Sequence, residues 1–287
     1  MAAPLLQTKL SVPPLRPELV ARPRLLERLD AGLRPGHKLT LISAPAGYGK
    51  TTLVAAWLHA LDTEHETRNT RHAARTTPWL SLDPHDNEPA RFLTYLVAAL
   101  QHAAGEIGGR LHGLLDLPHL PPLESLLAAL LDDLAAHPAP LVLVLDDLHE
   151  IGNPSLLDAL GFWVEHQPPH VHTVLITRQD PPLPLSRWRV RSQLTELRQR
   201  DLVFKPGETA AFLQRSMGIT LSAADLVTLE QRTGDGESTD GRQTPSVGQS
   251  VPEVVGEMAA SVGLVPAGTE CLAGDLVERF SWRSLRQ

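Results

Sequence analysis

Short apolar runs alternate with longer stretches of helical periodicity between residues 39 and about 200. Five runs have the length and composition of β-strands, at residues 39–42, 79–83, 141–145, 173–178 and 194–197. The run at 141–145 is continuously apolar, which is typical of a parallel strand that is covered on both faces. Because strands alternate with helices, we predict an α/β fold built on a doubly wound parallel sheet of about five strands.

Apolar residues that recur at three- and four-residue spacing predict the helices. The candidate helices cover residues 25–33, 50–58, 92–100, 123–134, 156–164, 206–213 and 222–230, and Pro23 stands at the favoured first position of the first. Residues 62–77 are polar and aperiodic, so we interpret them as a solvated loop. Residues 105–122 are interpreted as irregular. After residue 234 both kinds of periodicity become weak.

The first apolar run leads into a loop of small residues and then into a helix. The segment after Ser43 consists of Ala44, Pro45, Ala46, Gly47, Tyr48, Gly49, Lys50, Thr51 and Thr52. It matches the phosphate-binding pattern G-x-x-x-x-G-K-[ST], except that alanine occupies the position of the first glycine. Its glycines let successive backbone N–H groups point into one concavity, and the helix start adds the positive end of a dipole.

This loop predicts a site for a nucleoside triphosphate with Mg²⁺. We expect Lys50 to contact the β- and γ-phosphates and the Thr51 hydroxyl to bind the metal ion. The competing interpretation is an ordinary strand-to-helix turn that contains glycines. The coincidence of strand, loop, Lys-Thr pair and helix favours the phosphate site.

Two further strand ends carry charged residues that fit the same site. The run at 141–145 ends in Asp146 and Asp147, which is a Walker B pattern. We predict that Asp146 holds the Mg²⁺ shell and that Asp147 orients or deprotonates the attacking water, with Glu150 as a weaker candidate for the base. Arg178 follows the next strand and is predicted to stabilise charge on the γ-phosphate, although a surface salt bridge is the alternative.

Composition narrows the functional class of this chain of 287 residues. Its net charge of −7 argues against a protein whose main task is to hold nucleic acid. One cysteine, Cys271, excludes an internal disulfide framework and lacks the pattern of a catalytic thiol. The amino terminus shows no signal pattern and no run of 18 apolar residues occurs, so we expect a cytoplasmic protein without a membrane span.

A small histidine cluster offers a metal site as a minor alternative. His166, His170 and His172 are closely spaced, but Pro168 and Pro169 break any helix that would place the first two on one face.

Several segments together resemble the MalT-like branch of the signal-transducing (STAND) ATPases. They are Lys9-Leu10, residues 19–26 (LVARPRLL), 42–53 (ISAPAGYGKTTL), 79–83 (WLSLD), Asp86-Asn87, 145–149 (LDDLH) and 177–184 (TRQDPPLP). The resemblance implies a large ATP-dependent transcription activator in which exchange of ATP with ADP acts as a switch, with slow hydrolysis. It also implies that Val20 and Arg22 lie near the adenine, and that the N-terminal segment and a helical lid close over the nucleotide.

The resemblance also suggests how the chain is divided. We predict an N-terminal arm and helix at 1–36, a P-loop NTPase domain at 37–204, the start of a helical lid at 205–233 and an irregular tail at 234–287. That family continues into a winged helix, a sensor of helical repeats and a DNA-binding end. We therefore expect a truncated or frame-shifted product whose tail does not dock stably on the core.

Other functions remain open from the sequence alone. A stand-alone P-loop ATPase, or a kinase that acts on a small molecule, would share the phosphate loop but need an acceptor-binding lid. Binding of DNA by this fragment is not expected, since it is acidic and lacks a helix-turn-helix. Self-association or binding of an inducer is expected to need the further domains of the family.

Overall fold

The computed structural model describes residues 5–17, 19–68, 76–105, 107–115, 120–137 and 139–217. The helix predicted at 222–230 and the tail at 234–287 lie outside the described residues, so the predictions about them stay predictions. The same holds for the proposed domain boundaries. Within the described part no helix is both long enough and apolar enough to cross a membrane.

A five-stranded parallel sheet forms the centre of the fold. Its strands are β1 Leu39–Ser43, β2 Trp79–Ser81, β3 Leu141–Asp146, β4 Val171–Thr177 and β5 Leu194–Arg198. They lie side by side in the order β2-β3-β4-β1-β5, and every pairing is parallel. All five predicted strands and the parallel α/β fold are therefore confirmed, with boundaries shifted by one to two residues.

Both faces of the sheet are buried, which explains the unbroken apolar runs of the central strands. Along β3, Leu141 and Leu143 belong to one hydrophobic cluster, whereas Val142 and Val144 belong to a second cluster. Successive side chains of a strand point to opposite faces, so a strand with helices on both sides needs apolar residues at every position.

Nine helices surround the sheet in the described part of the chain. They are α1 Pro23–Gly32, α2 Lys50–Arg68, α3 Pro89–Ala104, α4 His112–Leu115, α5 Leu123–Ala136, α6 Pro154–His166, α7 Leu185–Val190, α8 Gln199–Leu202 and α9 Pro206–Met217. Short 3₁₀ turns lie at Gln7–Lys9, Pro84–Asn87, Gly109–Leu111 and Leu148–Glu150. Within the described residues, every helix predicted from apolar periodicity is present.

Two local predictions were wrong, and a short helix was not predicted. The helix α2 runs on to Arg68, into the segment interpreted as a loop; residues 50–68 contain neither glycine nor proline, so nothing in them ends a helix. The segment 105–122 is not wholly irregular, because it contains the one-turn helix α4. The helix α7 was not predicted, because six residues are too few to show a helical period.

The N-terminal segment is not a free extended arm. Lys9 and Leu10 are buried, and the Lys9 ammonium forms an ion pair with Asp83 at 3.0 Å and a second with the fully buried Asp86. The same ammonium lies 4.3 Å from the centroid of the Tyr95 ring. A buried lysine is stable only when its charge is paired, so these contacts dock the segment onto the end of β2.

Candidate functional site

The charged residues predicted to form one site lie along one edge of the sheet. In parallel strands the carboxyl ends share an edge, and Ser43 at the end of β1 is paired with Thr177 at the end of β4. The phosphate loop follows Ser43, Arg178 follows Thr177, and Asp146 ends β3 beside β4. The topology thus brings the three predicted strand ends to adjacent positions.

The loop between β1 and α2 has the backbone of a phosphate cradle. Gly47 and Gly49 adopt φ angles of 87° and 69°, a region that side chains with a Cβ rarely enter. Ala44 is buried and its N–H donates to the carbonyl of Thr177, so a small residue suffices at the position where the pattern has glycine. Pro45, Ala46 and the two glycines are exposed, which leaves the loop open to a ligand.

Lys50 is folded back onto this loop. Its ammonium donates to the carbonyl of Pro45 at 2.9 Å, and the residue is only 8% exposed. Burial lowers the pKa of Lys50, while the nearby carboxylates of Asp147 and Asp146 oppose that shift. A buried ammonium with one carbonyl partner retains donors for phosphate oxygens.

Thr51, the second residue of α2, contacts Asp146, the last residue of β3. The Thr51 hydroxyl donates to Oδ1 of Asp146 at 3.1 Å, and the backbone N–H of Asp147 donates to the same oxygen at 3.0 Å. Burial, and after it the charge of Asp147, raise the pKa of Asp146 to about 7. A hydroxyl beside a carboxylate is the set of oxygen donors that Mg²⁺ prefers, so these two residues fit the ion.

Asp147 differs from its neighbour in both backbone and exposure. It adopts the left-handed conformation with φ 56°, which is uncommon for a residue other than glycine. Its carboxylate is half exposed, in contrast to the buried Asp146. Strained backbone of this kind clusters at functional sites, where it aims a side chain in a set direction.

His149 is a site residue to which the sequence analysis assigned no role. Its Nε2 lies 3.2 Å from Oε1 of Glu150 and its Nδ1 lies 3.8 Å from Oδ1 of Asp147. Neither ring nitrogen makes a hydrogen bond within the described part of the chain. Burial, and then the charge of Arg178, lower the pKa of His149, which favours the neutral ring. Its position two residues after the Asp-Asp pair could have indicated it.

Arg178 presents an available cation at the same edge. The residue is exposed and, among the described residues, it forms no hydrogen bond or ion pair. Its charge lowers the pKa values of both Lys50 and His149. The alternative of a surface salt bridge is therefore not seen in the described part. Arg198, at the end of β5, instead pairs with Asp180 and Glu196.

Two other predicted site residues point toward the chain that follows β5. The hydroxyl of Tyr48 accepts a hydrogen bond of 2.8 Å from the side chain of Gln199. Arg22 is buried and donates to the carbonyl of Leu202 at 2.6 Å, and its guanidinium lies 4.7 Å from the ring of Phe204. Val20 is buried as well. The expected placement of Val20 and Arg22 near an adenine stays a prediction.

The histidine cluster is spread over different contacts. His166 contacts the carbonyl of Phe162, His170 that of Leu134, and His172 the hydroxyl of Thr40. No group of three or more His, Cys, Asp or Glu side chains that could hold a metal ion occurs among the described residues. Cys271 lies outside them.

Known proteins similar to this chain agree with the geometry. It is 39% identical over 210 residues to the HTH-type transcriptional regulator MalT of Cronobacter sakazakii, with 72% of this chain and 21% of that protein covered. It is 37% identical to MalT of Yersinia enterocolitica, over 77% of this chain and 23% of that protein. The chain thus spans about a fifth of the length of these relatives.

A solved structure and a family model complete the comparison. The Aeropyrum pernix ORC1 protein in complex with DNA is 18% identical, covers 73% of this chain and 53% of its own, and superposes with a TM-score of 0.42. The family model described as AAA ATPase domain matches residues 18–185, a range that contains β1 to β4, the phosphate loop and both aspartates. On that match, the chain belongs to the AAA ATPase domain family.

Proposed function

We propose that this chain is an ATP- and Mg²⁺-binding ATPase module that acts as a nucleotide switch in a transcriptional regulator similar to MalT. The observation that carries the proposal is the meeting of Lys50, the Thr51–Asp146 pair and the exposed Arg178 at one edge of the sheet. Together they offer two cations and a pair of metal-ligand oxygens beside a glycine-rich loop. This is the set of groups that a bound nucleoside triphosphate requires.

Binding of the triphosphate begins at the loop. The exposed N–H groups around Gly47 and Gly49 bind phosphate oxygens, and the start of α2 contributes its positive dipole end. Lys50 exchanges part of its interaction with the Pro45 carbonyl for the β- and γ-phosphates. Burial disfavours the charged form of the Lys50 ammonium, and the negative charge of bound phosphates compensates for that cost.

Thr51 and Asp146 would hold the magnesium ion. When bound, Mg²⁺ supplies positive charge that neutralises the phosphate oxygens. The buried Asp146 gains a cationic partner that the protein alone does not give it, since its contacts in the described part are a hydroxyl and one N–H.

Asp147 is the proposed base for hydrolysis. Its carboxylate accepts a proton from water while the water oxygen forms a bond to the γ-phosphorus. The bond from that phosphorus to the bridging oxygen breaks, ADP leaves with the electron pair, and inorganic phosphate is the second product. Arg178 stabilises the negative charge on the γ-phosphoryl oxygens.

The regulatory part of the proposal comes from the relatives. The identity of 37–39% to MalT regulators covers most of this chain. We therefore assign the nucleotide cycle a signalling role, with inducer and DNA binding in other parts of such a regulator. A salt-dependent titration with duplex DNA is expected to show no specific binding by residues 1–287.

Calorimetric titration of the purified chain with Mg·ATP tests the site. Lys50→Ala should weaken binding by about a hundredfold or more, because the loop loses its buried cation. Lys38→Ala is the matched control, since Lys38 lies at the opposite end of β1 and bonds the carbonyl of Glu165. Equal affinity of Lys50→Ala and wild type would contradict the proposed site. Release of ADP that depends on a small-molecule acceptor would instead indicate a kinase.

A further inference from the structure

The chain that leaves β5 lies beside the phosphate loop. Arg198, the last residue of β5, is paired in register with Ser43, the residue from which the loop starts. Residues 199–208 follow; this segment, here called the connection, contains α8 and the first turn of α9. The bond from Gln199 to the Tyr48 hydroxyl ties the start of this connection to the loop itself. Movement of α9 relative to the sheet must therefore occur at this connection.

Two arginines at the start of α1 hold the connection by its backbone. Arg22 donates to the carbonyls of Leu202 and Val203 at 2.6 and 3.1 Å. Arg24 donates to the carbonyl of Asp201 at 2.7 Å and to that of Val203 at 2.9 Å. Because α8 ends at Leu202, the carbonyls at its end have no partner within the helix, and the two arginines supply hydrogen-bond donors to them. The N-terminal segment and the connection are thus bonded along several residues.

The carboxylate of Glu208 accepts hydrogen bonds from both arginines. Its oxygens accept from Nε of Arg22 at 3.2 Å, from Nε of Arg24 at 3.0 Å and from Nη2 of Arg24 at 3.2 Å. It also accepts from the backbone N–H of Lys205 at 3.0 Å. Glu208 stands in the first turn of α9, where the helix dipole favours a negative charge.

This contact is largely removed from water. The side chains of Glu208 and Arg22 are 12% and 8% exposed, and that of Arg24 is 28% exposed. Removing one partner of such a pair leaves the opposite charges buried without compensation. A second tie runs the other way, from Arg215 of α9 to the carbonyl of Leu19 at 2.5 Å. The segment 19–24 is therefore bonded to both the first and the last turn of α9.

We propose that Glu208 is a positioning residue that fastens α9 to the segment 19–24 and thereby limits the rate at which bound nucleotide leaves. The inference rests on the proposed function, because it concerns release from the same site. It adds to that function a named contact that resists opening. When the pair between Glu208 and the two arginines separates, the connection at 201–208 is free to move away from the phosphate loop.

The test is the release rate of a fluorescent ADP analogue from the full chain, measured by stopped flow after mixing with excess ADP. Glu208→Gln keeps the shape of the side chain and removes its charge, and it should release the analogue about tenfold faster. Glu165→Gln is the matched control, because Glu165 also binds two arginines, Arg187 and Arg191, but lies away from the connection. The control should keep the wild-type rate.

A second variant covers the case in which Glu208→Gln does not fold. Arg24→Gln removes the more exposed arginine, and the inference requires faster release here too. Amide exchange of the nucleotide-free protein gives an independent readout, since loss of the contact should expose the N–H groups of 202–208 in both variants but not in Glu165→Gln.

The outcomes separate the two proposals. If wild type binds nucleotide, and Glu208→Gln and Arg24→Gln both release it at the wild-type rate, the proposed role of Glu208 is wrong and the site stands. If wild type binds no nucleotide at all, the proposed function is wrong. Faster amide exchange at 202–208 would then still report the mechanical role of Glu208, and unchanged exchange would refute that role as well.

Discussion

The buried carboxylate of Asp146 and the partly buried carboxylate of Glu208 have pKa values that shift in opposite directions. Burial and the neighbouring Asp147 raise the pKa of Asp146 to about 7. Burial acts in the same direction on Glu208, but hydrogen bonds from Arg24 and the N–H of Lys205, with the charges of Arg22 and Arg24, outweigh it and lower that pKa. The difference lies in the partners, because only Glu208 has cations within hydrogen-bond distance.

The contrast distinguishes a ligand site from a structural contact. Around Glu208 the protein itself provides the compensating positive charges of Arg22 and Arg24, and the carboxylate needs no ligand to balance its charge. Around Asp146 a hydroxyl and one N–H are the described partners, and the cation is left to a ligand. Buried charge without compensation costs stability, so its presence at a strand end indicates a function that depends on binding.

Neutralising Asp147 has the largest expected effect. It tests whether the site around Asp146, unlike the contact around Glu208, hydrolyses ATP. Asp147→Asn should lower single-turnover hydrolysis by about a hundredfold or more, because an amide cannot accept the proton of water. Affinity for Mg·ATP, measured by calorimetry, should change by less than about threefold, a difference of under 1 kcal/mol. Asp158→Asn, on the exposed side of α6, is the control. Hydrolysis at the wild-type rate would exclude Asp147 as the base.

Loosening the loop after Asp147 should have an intermediate effect. The side chain of Asn87 accepts from the N–H groups of Gly152 and Asn153 and donates to the carbonyl of Glu150 at 2.7 Å. It thus fixes the end of the turn Leu148–Glu150, which follows Asp147, the proposed base. Asn87→Ala should lower kcat by about tenfold, since several hydrogen bonds of about 1 kcal/mol each are lost.

Asn87→Asp sharpens the same prediction, because it keeps the oxygen that accepts both N–H bonds and loses the amide donor. Its kcat should fall between those of wild type and Asn87→Ala, with KM for ATP little changed. An effect on KM alone would place Asn87 in nucleotide binding rather than in positioning the turn.

Measurements of stability compare the two carboxylates directly. In metal-free protein at about pH 8, Glu208→Gln should lose about 1–3 kcal/mol, because two arginines lose their charged partner. Asp146→Asn should melt at the wild-type temperature or above it, because it removes a buried charge that has no cation within hydrogen-bond distance among the described residues. Thermal unfolding in the presence of a chelator measures both.

The pH dependence of stability should have opposite signs for the two groups. The pKa of Asp146 is raised, so its ionisation lowers the stability of the native state as the pH rises toward about 7. The pKa of Glu208 is lowered, so its contribution is present above the unfolded value of about 4.3 and is lost as the pH falls through the folded value. The deficit of Glu208→Gln should therefore disappear in acid. A deficit that persists there would mean that the charge of Glu208 is not what stabilises the contact.

Much of the fold was predictable because its signals are local. The strands β1, β3 and β4 are each marked by a largely apolar run, because they are buried along their whole length. The strand β5, with the sequence LTELR, carries a weaker signal. The phosphate loop and the Asp-Asp pair are local for a similar reason, since a backbone cradle and a strand end need particular residues in adjacent positions. The limits of α2 and α7 were missed where no apolar period marks a helix.

The sequence by itself determined the parallel α/β class, the phosphate loop and the charges at the ends of its strands. Tertiary structure alone decided the strand order, the docking of Lys9, the place of His149 beside Asp147, and the union of Arg22 with Glu208 across 186 residues of chain. The physical reason is that the sequence does not show whether a charged side chain contacts a partner far along the chain or remains in water. Only the folded chain shows which charges the protein compensates itself and which it leaves for a ligand.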